Sequence, residues 1–387
     1  MERRVYLDHA ATSYPKPREV VSAMVRFLEE QGANPGRSGH PLSLAAAREV
    51  FAAREAVARL FGAADPTRVL FMSGATEALN LALQGYLSPG DHVITSGLEH
   101  NAVMRVLSLM KERGVTWSTM RHHADGSLDP DELGACLTPA TKLLILCHGS
   151  NVSGRVLPLR ELARLAHARG VAVAVDAAQT AGSVPLDVEA DGIDFLAFSG
   201  HKGLLGPTGT GGLVLAAGVD HRVLRPLKVG GTGSRSEHIE QPDFLPDRFE
   251  PGTPNAVGIV GLGAGVGWLL EQGVERIHDR EEQLCARMVD GLQRIEGVRL
   301  VGLAPRGERT ATLSFVVDGM EVSQVGELLG EEHRVMARVG LQCAPAAHST
   351  LGTFPRGTVR FSAGPLLSET DIDTALEGVG RIACRKR

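Results

Sequence analysis

The amino-acid sequence predicts an α/β protein with a large domain, built on a mostly parallel sheet covered by helices, and a smaller α+β domain. Between residues 68 and 215, short apolar runs alternate with helical stretches, a pattern typical of a parallel sheet with helices on both faces. After about residue 275 the order of helices and strands is that of an α+β domain. The length of 387 residues suits two domains, because single cores stop growing at about 250 to 300 residues.

Seven apolar runs in the first part are predicted to be strands, separated by glycine, proline and asparagine. In chain order they are RVLFM, DHVITS, VTWSTM, KLLILC, VAVAVDA, FLAFSG and GGLVLAA. In the second part, a helical pattern over 275–294 precedes strands VRLVG and TLSFVVDG, a short helix, strands VMARVG and TVRFSAG, and a closing helix from about Ser368.

The boundary between the two domains is predicted from a turn-rich stretch. This stretch, from Pro226 to Pro254, leads into an apolar helix of about 15 residues that begins near Asn255 and that we interpret as the connector. We therefore predict that residues 16–257 form the large domain. Residues 1–15 and 258–387 are predicted to form the small domain.

Composition and charge argue against several classes of function. A net charge of −5 and a pI near 6.3 indicate no binding surface for nucleic acid or an anionic membrane. The sequence has no run of 18 apolar residues and no signal peptide, so we expect a cytoplasmic protein without a membrane span. Five cysteines without a CxxC pair argue against a disulfide framework and a zinc site, and we expect no metal.

Lys202 is the strongest candidate for a catalytic residue. The motif SGHKGLLGPTGTGG places it after an apolar strand and before a glycine-rich turn. A lysine at a strand end is more often a solvated surface residue. A lysine that forms a Schiff base must instead be held rigidly and partly desolvated, because desolvation lowers its pKa and leaves the amine free to attack an aldehyde.

Asp176 supplies the context that favours the second interpretation of Lys202. It ends the strand VAVAVDA, and the carboxyl ends of strands in an open sheet face the ligand crevice. Asp176 is either a loop carboxylate or the partner of a pyridine nitrogen, which it would keep protonated. Gln179, three residues later, could hydrogen-bond the ring hydroxyl. We therefore predict pyridoxal 5′-phosphate linked to Lys202.

The segment SGATEALN is a candidate phosphate site. It follows the strand RVLFM and begins a helix, so the free amides of Gly74, Ala75 and Thr76, the Thr76 hydroxyl and the helix dipole could bind an anion. Taken alone, the segment is an ordinary capped helix.

Two further polar residues follow predicted strands. His100 comes after DHVITS, where it is either structural or stacks on the cofactor ring and moves a proton. Asn151 comes after KLLILC, where it is either a turn residue or a donor to a ring oxygen.

With these residues included, the chain as a whole resembles the class V aminotransferase family of fold-type I pyridoxal-phosphate enzymes, and within it the cysteine desulfurases. The resemblance covers essentially the whole length and rests on ten motifs in the family order. They are YLDHAATSYPKP, NPGRSGH, GATEALN, LEHNA, NVSG, VDAAQ, SGHKGLLGPTG, FEPGTPN, GLQCAPAAH and TVRFSAGP.

The resemblance implies a role for each candidate residue. Lys202 would bind the cofactor covalently, Asp176 would pair with the pyridinium nitrogen, and His100 would stack on the ring. The ring oxygen would be contacted by Gln179 and Asn151, and the phosphate by Ala75, Thr76, Ser199 and His201. Thr232 in GGTG would reach the phosphate of a neighbouring subunit, which implies a homodimer with shared sites. Arg360 would bind the substrate carboxylate, a task suited to a guanidinium.

Cys343 in GLQCAPAAH indicates the subgroup. In the desulfurases that resemble this chain, the corresponding thiolate takes the sulfur of L-cysteine, releases alanine and keeps the sulfur as a persulfide for a protein acceptor. The motif resembles type II, and the resemblance also implies sulfur supply for iron–sulfur cluster assembly. An ordinary thiol is only a few per cent ionised at neutral pH, so His348 and Arg338 are candidate sources of positive potential.

The other cysteines are poorly placed for this chemistry. Cys136 and Cys285 fall in helical patterns, Cys147 in a buried strand and Cys384 in a mobile tail.

Two departures from the family pattern bear on sulfur transfer. His9 stands where asparagine is usual, and Gln342 precedes the cysteine where histidine is frequent. Alternatives on the same scaffold are a selenocysteine lyase, another carbon–sulfur lyase, a transaminase or an epimerase. A catalytically silent scaffold is a further alternative, which the presence of Lys202 and its partners disfavours.

Overall fold

The structure is a computed structural model that describes residues 4–36 and 39–385. Two residues of the motif NPGRSGH, Arg37 and Ser38, lie outside the described residues. The strands are β1 (Val5–Tyr6), β2 (Val69–Met72), β3 (His92–Thr95), β4 (Thr116–Thr119), β5 (Thr141–Cys147), β6 (Ala172–Asp176), β7 (Phe195–Ser199), β8 (Gly211–Leu215), β9 (Val298–Val301), β10 (Thr312–Val317), β11 (Val335–Met336), β12 (Arg338–Gly340) and β13 (Thr358–Ser362).

Among the described residues, some helices begin where a side chain caps the first free amides, whereas others have no such cap. The helices are α1 (Arg18–Glu30), α2 (Pro41–Leu60), α3 (Ala75–Tyr86), α4 (Asn101–Lys111), α5 (Glu132–Cys136), α6 (Leu159–His167), α7 (Ala256–Gln272), α8 (Val274–Gln293), α9 (Val322–Glu331), α10 (Pro345–Thr350) and α11 (Glu369–Cys384). Asn255 caps α7 by accepting from the Gly258 amide at 3.1 Å. Ser368 and Asp371 form a capping box at the start of α11.

The central sheet contains all seven strands predicted for the first part of the chain. Its order is β2-β8-β7-β6-β5-β3-β4, and its strands are parallel except β8, which is antiparallel to both neighbours. The predicted mostly parallel α/β sheet is therefore confirmed. The carboxyl ends of β2, β3, β5, β6 and β7 lie at one edge of the sheet, and the candidate cofactor residues of the first part of the chain lie at or after these ends.

Helices cover both faces of the central sheet. Leu144 and Leu146 of β5 pack with α2, α6 and α7, whereas Leu143 and Ile145 pack with α3 and α4. Both faces of β5 are therefore buried, which explains why the strand is a continuous apolar run rather than an alternating one.

A second, antiparallel sheet has the order β12-β13-β10-β9. It packs with α8, α9 and α11 around the ring pair Phe315 and Phe361, whose centroids are 5.0 Å apart. Near the amino terminus, β1 pairs with β11, and Val5 and Leu7 join this second core.

The predicted division into 16–257 and 1–15 with 258–387 stays a prediction. The pairing of β1 with β11 supports the grouping of the first residues with the last part of the chain. The connector helix, α7, lies against α1 and α2 and buries Leu262 and Leu269 in the core of the central sheet. This packing favours a boundary after α7 rather than at residue 257.

Some local predictions are corrected by the structure. The run VMARVG forms two short strands instead of one, because β11 pairs with β1 whereas β12 pairs with β13. Helix α10 and strand β1 were not predicted. Cys384 is the last residue of α11 and is exposed, so the prediction that it lies in a mobile tail is wrong.

Taken one at a time, the helices in the described part of the chain are too short or too polar to cross a membrane. Only α7 and α8 together reach the length and composition of a span, across a bend of 84°.

Candidate active site

The site lies at the carboxyl edge of the central sheet, where Lys202 follows β7 and Asp176 ends β6. Burial lowers the pKa of the Lys202 amine, and the negative charge of Asp176 opposes this effect. Arg360 and Cys343, from the last part of the chain, also act on the Lys202 amine electrostatically. The fold therefore brings together four candidates that are widely separated in sequence, and it favours a neutral, nucleophilic lysine.

Asp176 is almost completely buried at 4% exposure. Its Oδ1 atom accepts a hydrogen bond from the Ala178 amide at 2.9 Å, which holds the carboxylate in one orientation. Gln179, in the same turn, donates from Nε2 to the Ala10 carbonyl at 3.0 Å. The turn after β6 is thus tied to the N-terminal motif YLDHAATS.

The candidate phosphate site forms where α3 begins. Gly74 is the N-cap residue, and the Ala75 amide lies 3.4 Å from the Ser199 hydroxyl oxygen at the end of β7. The Thr76 side chain is exposed. Gly211 of β8 pairs with Ser199, and a Cβ atom at position 211 would lie 2.5 Å from Gly74 Cα. Only glycine leaves the helix start this close to β8.

His201 directly precedes Lys202, and its carbonyl accepts hydrogen bonds from the N-terminal residues Ser13 and Lys16. Burial, together with the nearby amines of Lys202 and Lys16, lowers the pKa of His201 to about 4. Its Nδ1 atom is buried and has no hydrogen-bond partner within the described residues. A buried, neutral ring nitrogen of this kind is available to a ligand.

His100 is the N-cap of α4. Its Nδ1 atom accepts from the Ala102 amide at 3.0 Å, so a neutral ring carries its proton on Nε2. Burial lowers the pKa of His100, and Asp176 acts in the opposite direction. The preceding Glu99 is completely buried, and burial raises its pKa to about 8. A protonated Glu99 therefore adds no charge to the site at neutral pH.

Arg360 lies on β13 with 2% exposure. It donates from Nη1 to the Asn151 carbonyl at 3.0 Å and from Nη2 to Asp8 Oδ1 at 2.5 Å. Its Nε atom is buried and, among the described residues, has no acceptor. Burial lowers the pKa of Arg360, and the ion pair with Asp8 opposes this effect.

Asn151 connects the ring site with the cysteine loop. Its Nδ2 atom donates to the Gln342 carbonyl at 2.7 Å, next to Cys343. Its Oδ1 atom is buried with no partner in the described part of the chain. In this structure the amide donor is therefore engaged by the loop, and the oxygen is the atom left for a ligand.

Cys343 is exposed and lies on a short loop between β12 and α10. Its carbonyl accepts from the Asn101 amide at 2.9 Å, beside His100. The two helical cysteines, Cys136 and Cys285, and the strand cysteine, Cys147, occupy the elements predicted for them. Burial raises the pKa of Cys147 and of Cys285, so these thiols stay protonated.

The prediction that His348 supplies positive potential to Cys343 is wrong. His348 is completely buried, and burial lowers its pKa to about 4, so the ring is neutral near pH 7. Arg338 lies on β12 opposite Arg360 and lowers the pKa of that residue through its charge. Of the two candidates, only Arg338 is a cation at this edge of the site.

Thr232 lies in the turn-rich segment after β8. Its hydroxyl group pairs with the Ser234 hydroxyl at 3.0 Å. The surrounding residues 227–241 are mostly exposed, including Val229 at 71% and Ile239 at 99%. Its predicted role therefore depends on a second subunit.

The comparisons with known proteins identify the family. The family model described as aminotransferase class-V matches residues 5–375. The chain belongs to the aminotransferase class V family. A probable cysteine desulfurase of Xylella fastidiosa is 37% identical over 353 residues, which are 88% of this chain and 82% of that protein. Another, from Methanothermobacter thermautotrophicus, is 35% identical over 92% of this chain and 89% of its own length.

Solved structures of two cysteine desulfurases have the same fold. The apo enzyme of Thermococcus onnurineus NA1 gives a TM-score of 0.91 at 31% identity and covers 99% of this chain and 95% of its own. The enzyme CsdA of Escherichia coli gives 0.87 at 32% identity with the same coverage. The predicted resemblance and the predicted fold class are confirmed.

The residues present fit the pyridoxal phosphate that class V aminotransferases use. Asn151 Oδ1 and His201 Nδ1 are buried polar atoms without a partner in the described chain. The helix start at Gly74 is kept open by glycine at position 211. Lys202 has the lowered pKa that covalent attachment requires.

Several residues of this family site were missed by the sequence analysis. Asp8 binds Arg360, and Lys16 donates to the His201 carbonyl at 2.9 Å, with a pKa that burial lowers to about 8. Both lie in YLDHAATSYPKP, so the motif itself was the available signal. Glu99 was also missed, although it lies in the motif LEHNA directly before His100.

Proposed function

We propose that this chain is a pyridoxal-phosphate-dependent cysteine desulfurase that converts L-cysteine to L-alanine and holds the sulfur on Cys343. The observation that carries the proposal is the position of the exposed Cys343 thiol, which acts electrostatically on the Lys202 amine, as Arg360 also does. Transamination needs no such thiol. The names of the similar proteins support the same activity.

The cofactor would be held by residues from five strand ends. Lys202 would bind it covalently, and Asp176 would face the pyridine nitrogen. Its phosphate would lie at the α3 start with Ala75, Thr76, Ser199 and His201, and its ring would contact His100, Asn151 and Gln179. When bound, the cofactor supplies an electron sink that weakens bonds next to the substrate α-carbon.

Arg360 would bind the substrate carboxylate. Its Nε donor is unused by the described residues, and its Nη2 atom is engaged by Asp8. A substrate carboxylate can accept from Nε and compete with Asp8 for Nη2, which gives the planar, two-bond contact that guanidinium groups favour. Asp8 would thus keep Arg360 oriented before substrate arrives.

Cys343 would perform the sulfur transfer. Its thiolate forms a new S–S bond with the substrate sulfur, the substrate C–S bond breaks, and the electron pair of that bond stays on carbon. A proton then completes the methyl group of alanine. The products are alanine and Cys343 persulfide, so the step needs no external oxidant or reductant.

Replacing Cys343 with serine tests the function. The Cys343→Ser variant should release no alanine from cysteine, yet it should bind the cofactor with the absorption spectrum of the parent, because the two tasks use different residues. Cys384→Ser, which removes another exposed thiol, is the matched control and should retain full activity. Alanine release and mass spectrometry of the persulfide after one turnover are the measurements.

Unchanged alanine release in Cys343→Ser, or a persulfide found only on another cysteine, would remove Cys343 from the reaction. Incubation with selenocysteine in the same assay, with selenide as the product measured, decides between a desulfurase and a selenocysteine lyase.

A homodimer with shared sites is part of this proposal. Helices α1 and α2 expose apolar side chains on their outer faces, including Val21, Val25 and Leu28 on α1 and Phe51 on α2. Spacings of four and three residues place the three α1 side chains on one stripe. The resemblance implies that a second copy of the chain covers this apolar face and places its Thr232 segment at the phosphate site.

The exposed Cys343 loop also suits delivery of sulfur to a protein acceptor, whose identity the chain does not specify. Use of that sulfur for iron–sulfur cluster assembly and a cytoplasmic location stay predictions.

A further inference from the structure

The side chain of Gln342 is buried beneath the loop that carries Cys343. It is 6% exposed, and its Nε2 atom donates to the Thr358 carbonyl at 3.0 Å. A backbone carbonyl can only accept, so the amide nitrogen must face Thr358 and the amide oxygen must face the other way. Thr358 begins β13, two residues before Arg360, and the loop is thereby tied to the strand that carries the arginine.

The amide oxygen of Gln342 faces His348. The Oε1 atom lies 2.6 Å from His348 Nε2, and because Oε1 can only accept, Nε2 carries the proton. His348 Nδ1 then accepts from the Thr353 hydroxyl at 2.7 Å. Every polar atom of the two side chains has a partner. Burial lowers the pKa of His348 to about 4, which favours the neutral imidazole with its proton on Nε2.

The backbone above this pair is in an unfavourable conformation. Gln342 and Cys343 have φ angles of +42° and +57°, which non-glycine residues rarely adopt. Two such residues in succession persist only where surrounding contacts hold them. Those contacts are the bonds from Asn151 Nδ2 to the Gln342 carbonyl at 2.7 Å, from the Asn101 amide to the Cys343 carbonyl at 2.9 Å and from the Ala344 amide to the Leu341 carbonyl at 2.8 Å.

We propose that Gln342 and His348 are positioning residues that clamp the Cys343 loop in this left-handed conformation and so set the position of the thiol relative to Lys202 and Arg360. The resemblance leads one to expect histidine at the position before the cysteine. In this chain that position is Gln342, and its histidine partner, His348, comes five residues after the cysteine. The clamp is a property of the fold. Its effect on sulfur transfer rests on the proposed function.

The clamp is tested by hydrogen exchange in His348→Phe and Gln342→Leu. Loss of one buried hydrogen bond corresponds to roughly 1 kcal/mol, and the Ala344 and Asn101 amides, which donate to the Leu341 and Cys343 carbonyls, should exchange about five- to tenfold faster than in the parent. Alkylation of Cys343 by iodoacetamide, located by mass spectrometry, should also change in rate.

His92→Phe is the matched control. His92 is a buried histidine that contacts the hydroxyl oxygens of Thr141 at 2.8 Å and Ser118 at 2.9 Å within the central sheet. The His92→Phe variant should have a lower melting temperature, but the amide hydrogen exchange and the alkylation rate of the Cys343 loop should stay as in the parent. The clamp is overturned if the loop amides of both clamp variants exchange at the parental rate. It is also overturned if the loop amides exchange as fast in His92→Phe as in the clamp variants.

Measurement of the catalytic rate tests the positioning role separately from the proposed function. If the parent releases alanine, the clamp variants should show a kcat at least about fivefold lower with an unchanged KM for cysteine and an unchanged cofactor spectrum, because Arg360 and Lys202 remain in place. Full kcat in a variant whose loop exchanges faster overturns the positioning role. If the parent releases no alanine, the proposed function fails, and the exchange measurement still decides whether the clamp exists.

Discussion

Replacing Gly211 with alanine tests the placement of the phosphate at the start of α3. The new Cβ atom would lie 2.5 Å from Gly74 Cα and 2.5 Å from the Phe198 carbonyl oxygen, whereas unstrained contacts to carbon need about 3.5 Å. Both neighbours are backbone atoms that cannot rotate away. The helix start must therefore move by about 1 Å, at a cost typical of overpacking, about 1–3 kcal/mol.

The displacement should weaken cofactor binding as well as folding. Gly74 is the N-cap of α3, so its movement carries the amides of Ala75 and Thr76 away from the phosphate. Loss of one charge-assisted hydrogen bond, about 1.5–3 kcal/mol, raises the Kd for pyridoxal phosphate by roughly ten- to a hundredfold. The assay is a titration of cofactor into the apoprotein, followed by its absorption.

Gly218→Ala is the control for this experiment, because a Cβ atom there meets nothing within 4 Å in the described structure and the residue is exposed. It should bind the cofactor like the parent. If Gly211→Ala lowers the melting temperature but binds pyridoxal phosphate with parental affinity, the phosphate does not lie at the α3 start, and the reasoning is refuted.

Three further predictions concern the lysine, the dimer and pH. Lys202→Ala should lose the covalent attachment; borohydride reduction and peptide mapping of the parent should label Lys202, and a label on another lysine would contradict the assignment. Sedimentation should give a dimer, and a monomer that is fully active at nanomolar concentration would exclude shared sites. His148 is 4% exposed, and burial lowers its pKa from 6.5 to about 4. The unfolded chain therefore binds the proton more tightly than the folded protein, and stability falls as pH drops from about 6.5 towards 4. At pH 5 this residue costs about 2 kcal/mol relative to pH 7, so His148→Leu should flatten the pH dependence of the unfolding free energy by that amount. An unchanged slope would show that His148 does not titrate in this range.

The sequence by itself determined the central sheet and the order of its strands along the chain. Both faces of these strands are buried, so they appear as continuous apolar runs, and turn residues mark their ends. The candidate residues Asp176, His100 and Asn151 could be identified because each follows such a run, and strand ends of a parallel sheet meet at one edge. The motif order then indicated the family.

The tertiary structure decided which side chains meet and what charge they carry. His348 was predicted to be a cation from its distance of five residues along the chain, but burial against Gln342 and Thr353 makes it neutral and structural. Likewise, Asp8 and Arg360 are 352 residues apart in sequence and form an ion pair. Local sequence carries no record of such desolvation or pairing, because burial and contacts between distant segments are set only when the chain folds.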